Sequence, residues 1–96
     1  MDDNVSEGPI TKWIQQMIDL QQFSNENLYR FKTLTKREVE VLSLVARGLK
    51  NQAIADKLKV SKLTIQNHRS GIRQKLDIDN QVDYVKYALA YDLIEF

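Results

Sequence analysis

A run of basic residues is the part of this sequence with the clearest chemistry. Between Lys57 and Lys75 there are six basic residues and no acidic one, whereas the rest of the 96-residue chain holds 8 basic and 13 acidic residues. The six are Lys57, Lys59, Lys62, Arg69, Arg73 and Lys75. Each Lys or Arg placed beside a phosphate releases a condensed counterion, so this segregation of charge is typical of a surface that binds a polyanion. A solvated helix face could have the same composition, and charge alone does not decide between the two.

The residue types give little support to catalytic or metal chemistry. The chain has no cysteine and a single histidine, so it lacks a disulfide framework, a thiolate zinc site and the several imidazoles of most catalytic metal sites. We interpret that histidine, His68, as a packed, hydrogen-bonded side chain. Ser61 is better explained as a helix cap than as a nucleophile, because no base lies at a useful spacing from it. An enzyme is therefore the least favoured class, and we predict no catalytic residue, no metal and no cofactor.

No targeting or membrane segment is evident. The N-terminus has no basic stretch ahead of an apolar segment, and the longest apolar run, Tyr87 to Tyr91, has five residues. Such a run is too short for a signal peptide or a membrane span. We expect a small cytoplasmic protein with one core and no membrane partner.

The spacing of apolar residues predicts an all-α fold. Gly occurs three times and Pro once, too few for the turns of an all-β protein, and apolar residues recur at helical spacing in most segments. We predict a polar tail over 1–9, an amphipathic helix over 10–22 with Trp13 on its apolar face, and a connector over 24–33. Four further helices are predicted over 35–47, 51–58, 61–76 and 81–93.

Local signals predict a helix-turn-helix in the middle of the chain. Thr35 and Glu38 fit a capping box, in which each side chain accepts a hydrogen bond from the backbone amide of the other residue. Gly48 suits the left-handed position that ends this helix. Asn51 is the candidate cap of the next helix, and residues 59–61 form a tight turn before a helix capped by Ser61. Two helices joined by so short a turn are typical of helix-turn-helix.

A helical wheel at about 100° per residue separates two faces of the helix predicted over 61–76. Its inward face holds Ile65, Ile72 and Leu76. The outward face holds Leu63, Gln66, Asn67, Ser70 and Gln74, and one flank holds Lys62, Arg69 and Arg73. Short amide and hydroxyl groups bordered by cations match the base edges and phosphates of a DNA major groove.

These residues resemble those of a known family. The runs LTKREVEVL over 34–42 and ARGL over 46–49 closely resemble the LuxR/FixJ/GerE-type DNA-binding domain of bacterial transcription regulators. Further matching positions are Asn51, Ile54, Ala55, Leu58, Ser61, Thr64, Ile65, His68, Arg69, Ile72, Lys75 and Leu76. The resemblance covers about residues 33–90. It implies a four-helix domain whose third helix enters the major groove and whose fourth helix mediates dimerisation.

The resemblance also implies which residues contact DNA. Gln66, at a position where Lys is usual, is an expected base contact, together with Asn67 and Ser70 on the same outward face. The expected phosphate contacts are Thr35, Asn51, Lys62, Thr64, Arg69, Arg73 and Lys75. Two of these stand at predicted helix starts, where free backbone amides favour anions.

The chain departs from the family pattern at several positions. Gln81 stands where Arg is common, Asp77 stands where Gly is common, and Lys50 with Ala53 lacks a capping pair often found there. Together with the cation missing at residue 66, these changes are expected to weaken phosphate affinity or local order.

The last predicted helix has two apolar stripes where a surface helix needs one. Val82, Val85, Leu89 and Leu93 form the first stripe; Tyr84, Tyr87, Ala88, Tyr91 and Ile94 form the second. Since Tyr is well suited to interfaces, we predict a homodimer through Tyr84, Tyr87, Ala88 and Tyr91. The alternative is that these tyrosines pack against the N-terminal helix.

The sequence predicts two parts. Residues 33–96 form the LuxR-type helix-turn-helix domain, and residues 1–32 form an N-terminal tail and amphipathic helix. That helix could complete the domain, act as a second dimerisation element, or be the tail of a sensor domain. The sequence does not choose among the three.

Two functions are consistent with the sequence. The favoured one is a sequence-specific transcription regulator that binds double-stranded DNA as a dimer, with RNA polymerase or another regulator as a further candidate partner. The alternative is a protein-interaction module or antagonist of other regulators with weak or no specific DNA binding, which the missing cations and the near-neutral total charge favour.

Overall fold

Five helices make up the described part of the chain. The structure is a computed structural model that describes residues 8–95, and within them the fold is all-helical, as predicted. Helix α1 spans Pro9–Phe31, α2 Lys36–Ala46, α3 Asn51–Leu58, α4 Lys62–Leu76 and α5 Gln81–Ala90. None of the five is long and apolar enough to cross a bilayer. Residues 1–7 of the predicted tail lie outside the described residues, and Pro9 already begins α1.

Helices α2 to α5 enclose one apolar core. Helix α2 packs against α3, α4 and α5, while α1 packs against α4 and α5 from outside. The buried apolar residues are Val41, Leu42, Val45, Ala46, Ile54, Ala55, Ile65, Ile72, Leu76, Ile78, Tyr84, Tyr87 and Ala88. The inward face predicted for α4 is confirmed, because Ile65, Ile72 and Leu76 are all buried.

Most of the predicted helix boundaries depend on caps that the structure confirms. Thr35 and Glu38 form the capping box at the start of α2, and Ser61 accepts a hydrogen bond from the Thr64 amide (3.0 Å) at the start of α4. Gly48 follows α2 with a φ of 91°. The prediction that Asn51 caps α3 is wrong. Lys50 is the cap residue, without a side-chain hydrogen bond, and Asn51 is the first residue of the helix.

Helix α1 is longer than the sequence predicts. It was expected to end near residue 22, but it continues to Phe31. The cause is tertiary packing: Phe23 meets Tyr87 edge-on with ring centroids 4.8 Å apart, and Phe31 stacks on Tyr91 at 4.0 Å. The second half of α1 is therefore a helix because α5 covers its aromatic side chains.

Two tyrosine hydroxyl groups also fasten α1 to α5. The Tyr87 hydroxyl donates to Oδ1 of Asn27 (3.2 Å), and the Tyr91 hydroxyl donates to the backbone carbonyl of Ser24 (2.8 Å). Burial raises the pKa of both Tyr87 and Tyr91, so the hydroxyl groups stay protonated and keep their role as donors.

The residues of the dimer interface predicted on α5 take part in the packing of the chain itself. Tyr84, Tyr87 and Ala88 are buried within the chain's own core, and Tyr91 is half-buried against α1. These side chains are therefore not on the surface of a single chain. Val82, assigned to the other stripe, is 73% exposed. The alternative, that the tyrosines pack against the N-terminal helix, is the arrangement of Tyr87 and Tyr91, whereas Tyr84 lies under Arg69 of α4.

A buried carboxylate joins the start of α2 to α4. Glu38 is 6% exposed, and its Oε1 accepts hydrogen bonds from the Thr35 amide (2.8 Å) and from Nζ of Lys75 (2.7 Å). Burial by itself raises the pKa of Glu38, but the hydrogen bonds from Lys75 and Thr35 outweigh it and hold this pKa below its ordinary value. The second oxygen, Oε2, lies against Gly71 of α4, where an added Cβ would collide with it.

We predict that Gly71→Ala changes stability in opposite directions depending on residue 38. In the natural chain it should lower the free energy of unfolding by about 1–2 kcal/mol, because the new methyl group displaces the Glu38 carboxylate from its partners. In a Glu38→Ala background the same change should raise it by about 0.5–1 kcal/mol, the usual gain of Ala over Gly inside a helix. Urea unfolding of the four proteins tests this, and an equal effect in both backgrounds would contradict it.

We also predict that Lys75→Met destabilises the domain in a pH-dependent way. A carboxyl group with a lowered pKa contributes stability above its unfolded pKa, about 4.3, and loses it as pH falls through the folded pKa. Without Lys75, the pKa of Glu38 is lowered less against the effect of burial, so the loss should be about 1–2 kcal/mol at pH 7 and smaller at pH 4. Lys75 is 34% exposed, which limits the effect. Arg73→Met, on the exposed side of α4, is the control; an equal loss for Lys75→Met at both pH values would exclude the ion pair as its cause.

Candidate nucleic-acid interface

The turn between α3 and α4 fixes the direction of α4. Lys59 adopts a left-handed conformation (φ 60°, ψ 44°) at the end of α3, and the Val60 amide donates to the carbonyl of Ala55 (3.0 Å). Val60 packs against the core, and Ser61 then caps α4. The predicted turn over residues 59–61 is thus confirmed, and α4 lies across α2 and α3 with its other side in solvent.

The solvent side of α4 has the composition that a DNA groove requires. Its exposed side chains are Lys62, Leu63, Gln66, Asn67, Ser70, Arg73 and Gln74. Helix α4 contains no acidic residue. Hydrogen-bonding groups therefore occupy the middle of the exposed face, with Lys62 and Arg73 available beside them, and no carboxylate of α4 opposes a phosphate.

The three expected base contacts share this exposed face. Gln66 and Asn67 are both exposed, and within residues 8–95 neither side-chain amide takes part in a hydrogen bond. Ser70 lies one turn further along α4, where its hydroxyl accepts a hydrogen bond from Arg73 (3.3 Å). Two amide side chains and one hydroxyl are thus presented outward within about 1.5 turns of helix.

Three of the residues expected to contact phosphates also hold helices together. Lys75 pairs with the buried Glu38, as described above. The guanidinium group of Arg69 donates to Oδ1 of Asn51 (2.8 Å) and lies over the ring of Tyr84, 5.3 Å from its centroid. These contacts join α4 to α2, α3 and α5, so Lys75, Arg69 and Asn51 hold the domain together, whereas their expected phosphate contacts stay a prediction.

The other four phosphate candidates keep accessible groups. Lys62, Arg73 and Thr35 are exposed, and Thr64 is half-buried with its hydroxyl bonded to that of Ser61 (2.8 Å). Lys62 and Arg73 belong to the exposed face of α4, and Thr35 caps α2.

Leu63, on the outward face predicted for α4, is a further candidate contact that the spacing of polar residues does not reveal. It is 64% exposed in the first turn of α4, beside the polar groups of the same face. Lys57 and Lys59 are also exposed, at the end of α3 and in the turn. The signal for Leu63 was its wheel position: an apolar side chain on a face that is otherwise polar.

Two departures from the family pattern have structural roles. The side-chain amide of Gln81 donates to the carbonyl of Val45 (2.7 Å) and so satisfies the end of α2. Asp77 ends α4 in the left-handed conformation, with a φ of 57°, which explains why Gly is common at this position. Gln81 therefore stabilises the end of α2, although it lacks the positive charge of the Arg that is common at this position.

A metal centre has no basis in the described residues. Over residues 8–95 there is no group of three or more His, Cys, Asp or Glu side chains that could hold an ion.

Comparison with known proteins identifies the family of the chain. Residues 32–88 match the family described as "Bacterial regulatory proteins, luxR family". The chain is also similar to the "Oxygen regulatory protein NreC" of Staphylococcus haemolyticus (strain JCSC1435), with 46% identity over 66 residues, which are 69% of this chain and 30% of that protein. For the protein of the same name from Staphylococcus carnosus (strain TM300), identity is 41% over 75 residues, or 78% of this chain and 35% of that protein. The chain thus spans about a third of the length of these curated relatives.

The family match settles the resemblance that the sequence suggested. It covers α2, the whole helix-turn-helix and most of α5, which is more than half of the chain. The family is one of DNA-binding transcription regulators and is not a family of enzymes. The chain belongs to the luxR family of bacterial regulatory proteins.

Proposed function

We propose that this protein regulates transcription by reading a specific DNA sequence with α4 in the major groove. The observation that carries the proposal is the exposed face of α4, which has no acidic residue and combines Gln66, Asn67 and Ser70 with Lys62 and Arg73. Amide side chains discriminate bases by paired hydrogen bonds, whereas the two cations neutralise phosphates of any sequence. The protein would act in the cytoplasm, where its operator lies.

The proposed regulator binds as a dimer. Two copies of α4 on adjacent major-groove faces would be separated by about one turn of DNA, roughly 34 Å. With only Lys62, Arg73 and a few neighbouring groups free for phosphates, one chain supplies a small electrostatic contribution. Two chains on one operator double it, and this is the physical reason for proposing a dimer.

Substitutions on α4 should separate base reading from phosphate binding. Gln66→Ala and Asn67→Ala should each cost about 1–3 kcal/mol on the preferred duplex and relax the sequence preference. Arg73→Ala should weaken all duplexes alike and reduce the slope of log affinity against log salt by about one. Fluorescence anisotropy with selected and scrambled duplexes at several salt concentrations measures both quantities.

Lys86→Ala is the matched control for charge. Lys86 lies on α5 against the ring of Phe23, and its removal should leave the salt slope unchanged. Equal losses on every sequence for Gln66→Ala, Asn67→Ala and Arg73→Ala would contradict base reading by α4.

We further propose that Leu63 reads the methyl group of a thymine. An exposed leucine in the first turn of a recognition helix is placed where side chains reach base edges, and the thymine methyl is the apolar group of the major groove. Replacing thymine by uracil at the contacted position removes only that methyl group. The loss should be about fourfold in affinity, which corresponds to about 0.8 kcal/mol for one methyl-sized group.

The Leu63→Ala variant supplies the second half of this test. It should bind thymine and uracil duplexes equally, whereas Lys62→Ala should keep the natural preference. If Leu63→Ala still distinguishes thymine from uracil at every position of the selected operator, the assignment of Leu63 is wrong, while specific DNA binding itself remains.

The alternative function is a protein-interaction module with weak DNA binding. The observation that favours it is an exposed apolar stripe on α1, which is not part of the DNA-binding face and consists of Ile10, Trp13, Ile14, Met17 and Ile18. It predicts binding to DNA that ignores sequence and disappears with added salt. The anisotropy experiment above decides between the two functions.

A further inference from the structure

The first half of α1 lies outside the folded domain. Every residue from Pro9 to Asp19 is exposed, and partial burial begins at Leu20. From there on, Phe23 and Phe31 attach the helix to α5. At 1.5 Å per residue the exposed segment is about 16 Å long, in a molecule whose longest dimension is 60 Å.

An apolar stripe runs along this exposed segment. Its five members, between 48% and 73% exposed, are Ile10, Trp13, Ile14, Met17 and Ile18. At about 100° per residue the stripe is centred roughly a quarter turn away from the side of α1 that carries Leu20, Phe23 and Phe31. The chain's own domain therefore does not cover it. Apolar patches of this kind mark interaction surfaces in soluble proteins.

The spacing of the stripe is that of a coiled coil. Ile10, Ile14, Met17 and Gln21 follow one another at intervals of four, three and four residues; the next position of this line, Ser24, is half-buried against Tyr91 at the end of α5, so the line is open over residues 10–21. Trp13 and Ile18 border it on either side. Such a pattern of alternating three- and four-residue steps is what a helix needs to pack along a second, similar helix.

The positions of the charged residues on α1 indicate which kind of partner the apolar stripe binds. The two charged residues between Pro9 and Asp19 are Lys12 and Asp19, and both lie on the opposite side of the helix from the stripe. A helix that binds a lipid surface or an acidic partner usually carries cations beside its apolar face. The uncharged borders of this stripe fit an equally apolar helix.

We propose that the stripe on α1 is the dimerisation surface of this protein and that its occupant is the same stripe of a second copy. Covering five side chains at about 100 Å² each removes about 500 Å² per copy, or about 1,000 Å² in total, which is the lower limit for a specific interface. An interface between identical stripes is self-complementary, as two-fold symmetry requires.

The two α1 helices run parallel in this dimer. This part rests on the proposed function: a parallel pair holds both domains at the same end, where two copies of α4 can reach neighbouring half-sites of one DNA duplex. The association of two copies does not depend on the proposed function, because it is argued from the apolar stripe alone.

Sedimentation velocity of the whole chain tests the interface without DNA. We expect the natural chain to move from monomer to dimer between about 1 and 100 μM, the weak range that a small interface implies. Ile14→Glu should keep it monomeric over that range. Gln15→Glu adds the same charge on the polar side of α1 and should dimerise normally. Because residue 14 lies outside the domain core, both variants should melt like the natural chain in dilute solution.

Single cysteines test the orientation, since the chain has none of its own. In a parallel pair, residues 14 of the two copies face each other, so Ile14→Cys should form a disulfide-linked dimer under mild oxidation and Gln15→Cys should not. A natural chain that stays monomeric at 100 μM, or a dimer that Ile14→Glu leaves intact, would overturn the proposed interface. A dimer in which Ile14→Cys fails to cross-link would overturn the parallel arrangement. If the natural chain forms this dimer but binds no DNA sequence specifically, only the proposed function is refuted.

Discussion

The orientation of α4 depends on one buried carboxylate. Glu38 starts α2 by accepting from the Thr35 amide, and with the same oxygen it holds Lys75 on α4, while its second oxygen lies against Gly71. A carboxylate this deep in the fold costs free energy unless its lone pairs are satisfied, so the helix start and the helix pairing stabilise each other. Gly71, a poor residue for a helix interior, is acceptable here because only a residue without Cβ leaves room for the carboxylate.

Contacts within the domain divide the basic residues of the central segment into two groups. Lys75 and Arg69 turn toward the domain, where they meet Glu38, Asn51 and the ring of Tyr84. Lys62 and Arg73 remain exposed beside the outward face, and Lys57 and Lys59 are exposed at the end of α3 and in the turn. The charge of +6 that the sequence assigns to this stretch therefore overstates what one domain can offer to DNA. A smaller free charge favours specific contacts over non-specific ones, since non-specific affinity comes almost entirely from phosphates.

Features that depend on neighbours in sequence could be predicted, and features that depend on distant contacts could not. The capping box of Thr35 and Glu38, the turn before Ser61 and the inward face of α4 follow from spacing alone, and the structure confirms them. Arg69 could not be distinguished from Arg73 by spacing, because its partner Asn51 is 18 residues away. The two apolar stripes of α5 can be read from the sequence, but spacing alone does not choose between a second copy and the N-terminal helix as the partner of its tyrosines. Only the position of α1 shows that the tyrosines are covered within one chain.

The two halves of helix α1 have different roles, because α5 covers the second half and leaves the first half exposed. Its second half is fastened by the aromatic contacts to α5 and by a hydrogen bond from Arg30 to the carbonyl of Leu76 at the end of α4 (3.3 Å). Its first half carries the apolar stripe into solvent. Since one continuous helix connects them, the stripe stands in a fixed relation to α4, without a flexible linker between. In the proposed dimer, the contacts of Phe31, Tyr91 and Arg30 would then set the separation of the two recognition helices, and loosening them would weaken operator binding although none of these residues touches DNA.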